Sequence, residues 1–132
     1  MSKHKRPFDH NLVDAINKLC WPLVNNNGIK VFLRNNARYE SGAEHIAGKL
    51  HELKVRDIEL LPNILKQPLS VKTDKRKGKL YFGKRKGVNK FPYLKVVVRI
   101  EKDETETIIT VCSSERCTWI FLFALLGKLF II

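Results

Sequence analysis

Apolar residues in the first half of the chain recur at the spacing of amphipathic helices. The first such series consists of Leu12, Val13, Ile16, Leu19, Cys20 and Leu23. Residues three or four positions apart share one face of a helix, so this series predicts an N-terminal helix. Pro22 and the polar residues 25–28 end it. Residues 29–33 follow as a short strand or an extended link.

Ser41 and Glu44 form the S-x-x-E pattern of a capping box, in which the hydroxyl and the carboxylate satisfy free amides of a first helical turn. The pattern predicts a helix that extends to about Leu53. Its core stripe consists of Ile46, Leu50 and Leu53. His45, Lys49 and Glu52 share a neighbouring stripe, because positions i, i+4 and i+7 lie on one face. This stripe is either a candidate acid–base group or a solvated helix flank.

The remaining segments predict one more helix and then strands. The helix covers residues 57–66 and stops before Pro68, with Pro62 tolerable only near the first turn or at a kink. Extended segments follow at residues 69–73, 79–84, 91–100 and 106–113, with short polar connections that favour an antiparallel meander. We therefore expect an α+β fold, in which N-terminal helices pack on one face of an antiparallel meander sheet of about four strands.

Side chains alternate cleanly in the segment 91–100. The apolar set is Leu94, Val96, Val98 and Ile100, and the opposite set is Tyr93, Lys95, Val97 and Arg99. The second set suits a phosphate backbone, with Tyr81 or Tyr93 free to stack on a base. The alternative is an ordinary solvated outer face of an antiparallel sheet, which alternates in the same way.

The distribution of charge strengthens the nucleic-acid interpretation. The 132 residues carry 25 Lys and Arg against 13 Asp and Glu, a formal charge of +12. Nine basic residues and one acid fall between Lys72 and Lys90. Such a surface attracts polyanions, with nucleic acid first and anionic membrane second. Because 44% of the residues are hydrophobic, the chain as a whole is not a disordered basic tail.

No sequence motif supports metal or cofactor chemistry. Cys20, Cys112 and Cys117 are an odd, sparse set that does not suit a disulfide scaffold. The C-x4-C spacing lacks the second pair that a zinc site needs, and the carboxylates are too scattered for a two-metal nuclease. Phosphate-binding and nucleophile-elbow motifs are absent, so we expect neither metal nor cofactor.

The two ends of the chain are unusual in different ways. The N-terminus is basic without a following apolar region, so no signal peptide is expected and the location predicted is cytoplasmic. Residues 118–132 form an apolar tail with Lys128 as its only charge. A helix needs about 20 residues to cross a bilayer. The tail is therefore a segment buried on the domain or on a second subunit, a membrane contact, or a terminus foreign to the parent fold.

Several short motifs occur in a familiar order. They are SGAEHI at 41–46, KLH at 49–51, LPNILKQP at 61–68, YF at 81–82, YLKVVV at 93–98 and TVCSS at 110–114. This order resembles the phage-encoded nuclease domains of the barnase/EndoU/colicin/RelE-like (BECR) group, which have an H-I-x-x-K-H-like helix and a closing strand that ends in Thr or Ser. The resemblance covers residues 40–114 and implies one nuclease domain within residues 1–117. The separation of His45 from His51 departs from the family's shorter step, so either histidine is a candidate.

The resemblance implies a metal-independent endoribonuclease, a hydrolase that makes a 2′,3′-cyclic phosphate by attack of the ribose 2′-OH and that acts as a toxin-like effector. It implies His45 as the acid–base residue, with His51 as the substitute, since imidazole titrates near working pH. The remaining assignments are phosphate contacts from Lys49, Lys84 or Arg85, a hydrogen bond from Ser113 or Ser114, and positioning by Lys95 and Arg99. Lys86, Tyr81 and Tyr93 complete the RNA-binding set.

Two other functions fit the same sequence. One is a nucleic-acid-binding module on this scaffold without catalysis. The other is a membrane-associated protein that uses the basic loop for anionic lipid and the tail for insertion. The expected partner is single-stranded RNA. An antidote protein, and self-association or membrane contact through residues 118–132, stay open.

Overall fold

The computed structural model describes residues 7–35, 40–48, 52–74 and 78–115. The elements in these ranges are α1 (His10–Lys18), β1 (Leu23–Val24), β2 (Lys30–Leu33), α2 (Gly42–Ile46), α3 (Val55–Lys66), β3 (Ser70–Asp74), β4 (Gly78–Lys84), β5 (Tyr93–Ile100) and β6 (Glu106–Ser114). Lys49, His51, Cys117 and the apolar tail lie outside the described residues. Within the described ranges, no helix is long and apolar enough to cross a membrane.

The strands form one six-stranded sheet in the order β1-β2-β6-β5-β4-β3. Strands β3 to β6 are an antiparallel meander, and β2 pairs with β6 in parallel. The α+β prediction is confirmed, and the predicted antiparallel meander of about four strands agrees only roughly with the structure, because the sheet is mixed and has six strands. The sheet gains two strands from residues 23–33, a segment too short for its periodicity to distinguish a strand from a link.

The three helices cover one face of the sheet, which we call the helix face. Leu94, Val96 and Val98 of β5 are buried there, as their alternation predicts. They form one apolar cluster with residues of all three helices, among them Ile16, Ile46, Ile58, Leu61 and Leu65. Tyr93, Lys95, Val97 and Arg99 lie on the opposite face, which we call the outer face.

Helix α1 is shorter than its apolar series predicts. Asp9 caps its start by accepting a 2.8 Å hydrogen bond from the Asn11 amide, and Lys18 is its last residue. Leu23 belongs to β1, where it pairs with Val31 and is buried. Its apolar character therefore reflects strand pairing rather than a fourth helical turn.

Helix α2 begins as predicted and ends early. Ser41 Oγ accepts from the Glu44 amide at 3.1 Å, and Glu44 Oε1 accepts from the Ser41 amide at 3.0 Å, which confirms the capping box. The helix stops at Ile46 because the Ala47 carbonyl accepts from the Asp9 amide at 3.0 Å instead of continuing the helix. Glu52 has a φ of 54°, outside helical geometry. The prediction that His45 and Glu52 share a helical face is therefore wrong, and Lys49 of the same stripe lies outside the described residues.

Helix α3 confirms the prediction for residues 57–66 and begins two residues earlier, at Val55. Pro62 is the eighth helical residue, so of the two alternatives for this proline, the first turn or a kink, the first turn does not apply. The helix lies close to β4, because Gly83 packs against the Ile64 side chain: a Cβ on Gly83 would lie 2.4 Å from Ile64 Cγ1. A side chain larger than hydrogen does not fit there without a shift.

Candidate nucleic-acid interface

The outer face of the sheet brings together basic side chains from neighbouring strands. Tyr93 pairs with Lys84 and with Ser114, and Lys95 pairs with Cys112. Residues directly opposite each other in a sheet point to the same side. Lys84 and Ser114 therefore join Tyr93 on the outer face, where the sheet presents cations beside an aromatic ring.

Only those side chains of the outer face that are exposed to solvent can contact a ligand. Lys84 and Lys86 are exposed, and Tyr93 and Lys95 are partly exposed. Within the described residues, no ion pair joins these lysines to a carboxylate. Phe82, which pairs with Lys95, is only 4% exposed. The accessible cations thus surround a buried patch rather than cover the whole face.

Arg99 is an exposed cation that has a charged partner. Its side chain is 57% exposed, and Nη2 lies 3.0 Å from Glu101 Oε2. Exposed ion pairs are worth about 0–1 kcal/mol, so this contact does not prevent Arg99 from binding an anion. Thr107 Oγ1 donates to the same carboxylate oxygen at 2.6 Å. Hydrogen bonds from Thr107 and Arg99 lower the pKa of Glu101.

Tyr81 lies on the helix face and not on the outer face. It pairs with Val96 and is 0% exposed, so the prediction that its ring stacks on a base is wrong. Its hydroxyl donates to Glu106 Oε1 at 2.5 Å and accepts from Asn25 Nδ2 at 3.0 Å. Lys79 Nζ donates to Glu106 Oε2 at 2.7 Å. These four side chains form a buried polar cluster that joins β4, β6 and the β1–β2 turn.

Contacts within this cluster determine the protonation of Tyr81 and Lys79. Burial raises the pKa of Tyr81, and the hydrogen bond to Glu106 raises it further, so its hydroxyl stays protonated. Burial alone lowers the pKa of Lys79, but hydrogen bonds to Glu106 and Tyr81 outweigh it and leave the pKa raised. Lys79 is therefore a cation neutralised by Glu106, and it contributes little to the charge of the surface.

Arg85 is also withdrawn from the surface. It is 6% exposed, and its Nε and Nη2 donate to the two carboxylate oxygens of buried Asp57 at 2.9 and 2.8 Å. Its Nη1 donates to the Phe91 carbonyl at 3.1 Å. The prediction that Arg85 holds a phosphate is wrong, because its guanidinium ties the loop before β5 to the start of α3.

The basic run at 72–90 therefore divides into two groups with different roles. Lys79 and Arg85 point inward and pair with Glu106 and Asp57. The exposed members are Lys72, Lys84, Lys86 and Lys90. Residues 75–77 lie outside the described residues. Two of the nine cations counted along the chain are therefore neutralised by carboxylates of the fold.

The predicted catalytic residues are only partly brought together. His45 Nδ1 lies 3.0 Å from Glu40 Oε1, with side chains 21% and 6% exposed. Ser113 pairs with Leu94 and so lies on the helix face, the side on which α2 packs, whereas Ser114 lies on the outer face. The two serines are therefore not interchangeable. Glu40 was missed because it precedes the capping box, where no helical period links it to His45.

Two observations concern metals and thiols. Among the described residues, no group of three or more His, Cys, Asp or Glu side chains is arranged to hold a metal ion. Cys20 is exposed, Cys112 is partly buried, and both are free thiols.

Comparison with known proteins identifies no relative of this chain. No family model, curated protein or solved structure matches the chain. The class that fold and site define is an α+β domain with a mixed sheet whose outer face carries lysines, an arginine and a tyrosine. The BECR resemblance stays a prediction, and the function is argued from the residues themselves.

Proposed function

We propose that this protein binds the phosphate backbone of single-stranded RNA on the outer face of its sheet. The observation that carries the proposal is the register that aligns Lys84 with Tyr93 and puts Lys95 and Arg99 on the same face. Lysine and arginine neutralise phosphates, and a tyrosine ring stacks on a base of any sequence. The overall excess of positive charge supports the same partner.

A pair of variants with equal charge tests this proposal. The double variant Lys84→Gln/Lys95→Gln removes two cations from the outer face. We expect its affinity for labelled oligouridine to fall roughly tenfold, because two phosphate contacts are lost. The slope of log Kobs against log salt should become shallower by about 1.4, since each contact on a single strand contributes about 0.7. Fluorescence anisotropy between about 50 and about 200 mM salt measures both values.

The matched control is Lys18→Gln/Lys66→Gln, which removes two cations from the last turns of α1 and α3. Its net charge equals that of the test variant, so a general electrostatic attraction would weaken both proteins equally. Equal loss in the two double variants would contradict an interface on the outer face. Absence of binding by the unmodified protein at low salt would contradict RNA binding altogether.

RNA cleavage is a second candidate function, and the contact between Glu40 and His45 favours it. A carboxylate on Nδ1 favours the imidazole tautomer in which Nδ1 carries the hydrogen and Nε2 is the basic nitrogen. In this candidate, His45 takes the proton of a ribose 2′-OH, the oxygen attacks the adjacent phosphorus, and the bond to the 5′-oxygen breaks. The departing 5′-oxygen takes a proton from water, so the products are a 2′,3′-cyclic phosphate end and a 5′-OH end.

Substitution of His45 separates cleavage from binding. We expect His45→Ala to slow cleavage of labelled single-stranded RNA in the presence of a chelator by about 10²–10⁴-fold, the usual contribution of general acid–base catalysis. Binding measured by anisotropy should stay unchanged. His10→Ala removes an exposed histidine of α1 and serves as the control. If the unmodified protein leaves the RNA intact, cleavage is rejected while the binding proposal stands.

A further inference from the structure

A pocket of about 550 Å³ opens at the end of the outer face where β2, β6 and β5 meet. It is lined by Phe32, Leu33, Arg34, Asn35, Arg99 and Thr107. Its volume falls within the range of about 300–1,000 Å³ that is typical of small-molecule sites. Its lining combines guanidinium, amide, hydroxyl and aromatic groups, which is the chemistry that recognises a nucleotide.

The floor of the pocket is set by strand register. Phe32 pairs with Thr107, and Thr107 pairs with Arg99, so the three side chains form one row across three strands. Neighbouring strands lie about 4.8 Å apart, which separates Phe32 from Arg99 by roughly two strand spacings. An aromatic surface and a cation are thus fixed side by side on rigid elements.

Arg99 keeps donors available in this pocket. Its Nε donates to Glu101 Oε2 at 3.0 Å, and Nη2 lies at the same distance from that oxygen. A guanidinium has five N–H groups, so donors remain for an anion while Glu101 holds the plane of the group. Arg34 is the second arginine in the lining of the pocket.

Phe32 supplies an exposed apolar surface in the pocket. It is 40% exposed on the outer face, although a large aromatic side chain normally gains from burial. An exposed aromatic ring beside cations is the arrangement that single-strand-binding proteins use to stack a base while the cations hold the backbone. The pocket therefore offers a surface for a base and a charged surface for its phosphate within one cavity.

We propose that this pocket binds one nucleotide of a single-stranded RNA, with its base on Phe32 and its phosphate held by Arg34 and Arg99. This site extends the outer-face interface and rests on the RNA-binding function proposed above. In this pocket the RNA strand is held through a base as well as through its backbone.

Two probes separate base recognition from backbone binding: labelled oligouridine, and an abasic ribose-phosphate strand of the same length. We expect Phe32→Leu to weaken oligouridine binding by about 5- to 150-fold, the loss of one stacked base, and to leave abasic binding unchanged. Arg99→Gln should weaken both probes and make the salt dependence shallower by about 0.7. Leu69→Ala removes another exposed apolar side chain and serves as the control.

The outcomes distinguish this site from the broader function. If Phe32→Leu and Arg99→Gln bind both probes like the unmodified chain, the pocket proposal is overturned, although RNA binding on Lys84 and Lys95 stands. If Phe32→Leu weakens both probes equally, base stacking in the pocket is also overturned. If the unmodified chain binds neither probe, the proposed function itself fails and this site fails with it.

Discussion

Asp57→Ala should lower the free energy of unfolding by about 3–5 kcal/mol, because it leaves the buried guanidinium of Arg85 without its counter-charge. Arg85 is 6% exposed and donates to both oxygens of Asp57. Asp57 Oδ2 also accepts from the Lys54 amide at 2.7 Å at the start of α3. Small domains are stable by about 5–15 kcal/mol, so this one change removes a large part of the total.

Urea unfolding followed by circular dichroism measures the loss. Glu59→Ala, which removes an exposed carboxylate of the same helix, should change stability by no more than about 0.5 kcal/mol. The double variant Asp57→Leu/Arg85→Met should be more stable than Asp57→Ala, because no unpaired charge is then buried. If Asp57→Ala costs no more than Glu59→Ala, the ion pair does not hold the loop before β5 to α3.

Gly42→Ala is the second change with a large expected effect. A Cβ at this first residue of α2 would lie 1.8 Å from the Arg34 carbonyl oxygen and 2.8 Å from its carbon. The Gly42 amide also donates to the Asn35 carbonyl at 3.1 Å, which holds the two segments together. Both neighbours are backbone, so relief requires movement of α2 or of the chain after β2. Overpacking of this kind costs about 1–3 kcal/mol or more.

The sign of this effect is opposite to the general rule. Alanine in a helix is normally about 0.5–1 kcal/mol better than glycine. Gly48→Ala, whose Cβ would lie 3.2 Å from the His45 carbonyl oxygen, is the comparison at the other end of the same segment. We expect thermal unfolding to show a clear fall in Tm for Gly42→Ala and a smaller change for Gly48→Ala. A rise in Tm for Gly42→Ala would contradict the close approach of Arg34.

The close approach of Gly42 to the Arg34 backbone affects the pocket as well as the stability of the fold. Arg34 and Asn35 line the pocket that we propose for a nucleotide, and the Gly42 amide donates to the Asn35 carbonyl. Glu40 and His45 flank Gly42 along the chain. The segment after β2 therefore supports both candidate functions, although no periodic pattern marked it in the sequence.

Local chemistry was predictable where it depends on near neighbours in the chain. The capping box at Ser41 and Glu44 needs only residues three apart, and the structure confirms it. The alternation of β5 needs only a period of two, and Leu94, Val96 and Val98 are buried as predicted. Both signals come from contacts whose geometry the backbone sets by itself.

Predictions failed where a distant segment decided the outcome. The Ala47 carbonyl accepts from the Asp9 amide, which ends α2 before His45 and Glu52 can share a face. Tyr81 and Arg85 were assigned to RNA from their place in a basic run. Their partners Glu106 and Asp57 are 25 and 28 residues away and turn both side chains inward. No local sequence pattern indicates partners at such a distance along the chain.

By itself, the sequence determined that the chain forms an α+β domain, that helices precede a meander of strands, and that excess positive charge accompanies the strands. Tertiary structure alone decided which charges face solvent, because a buried cation requires a counter-ion that only the fold supplies. It also added β1 and β2, whose pairing with β6 creates the row of Phe32, Thr107 and Arg99. Strand register joins residues far apart in the chain, and it thereby converts a basic sequence into a specific surface.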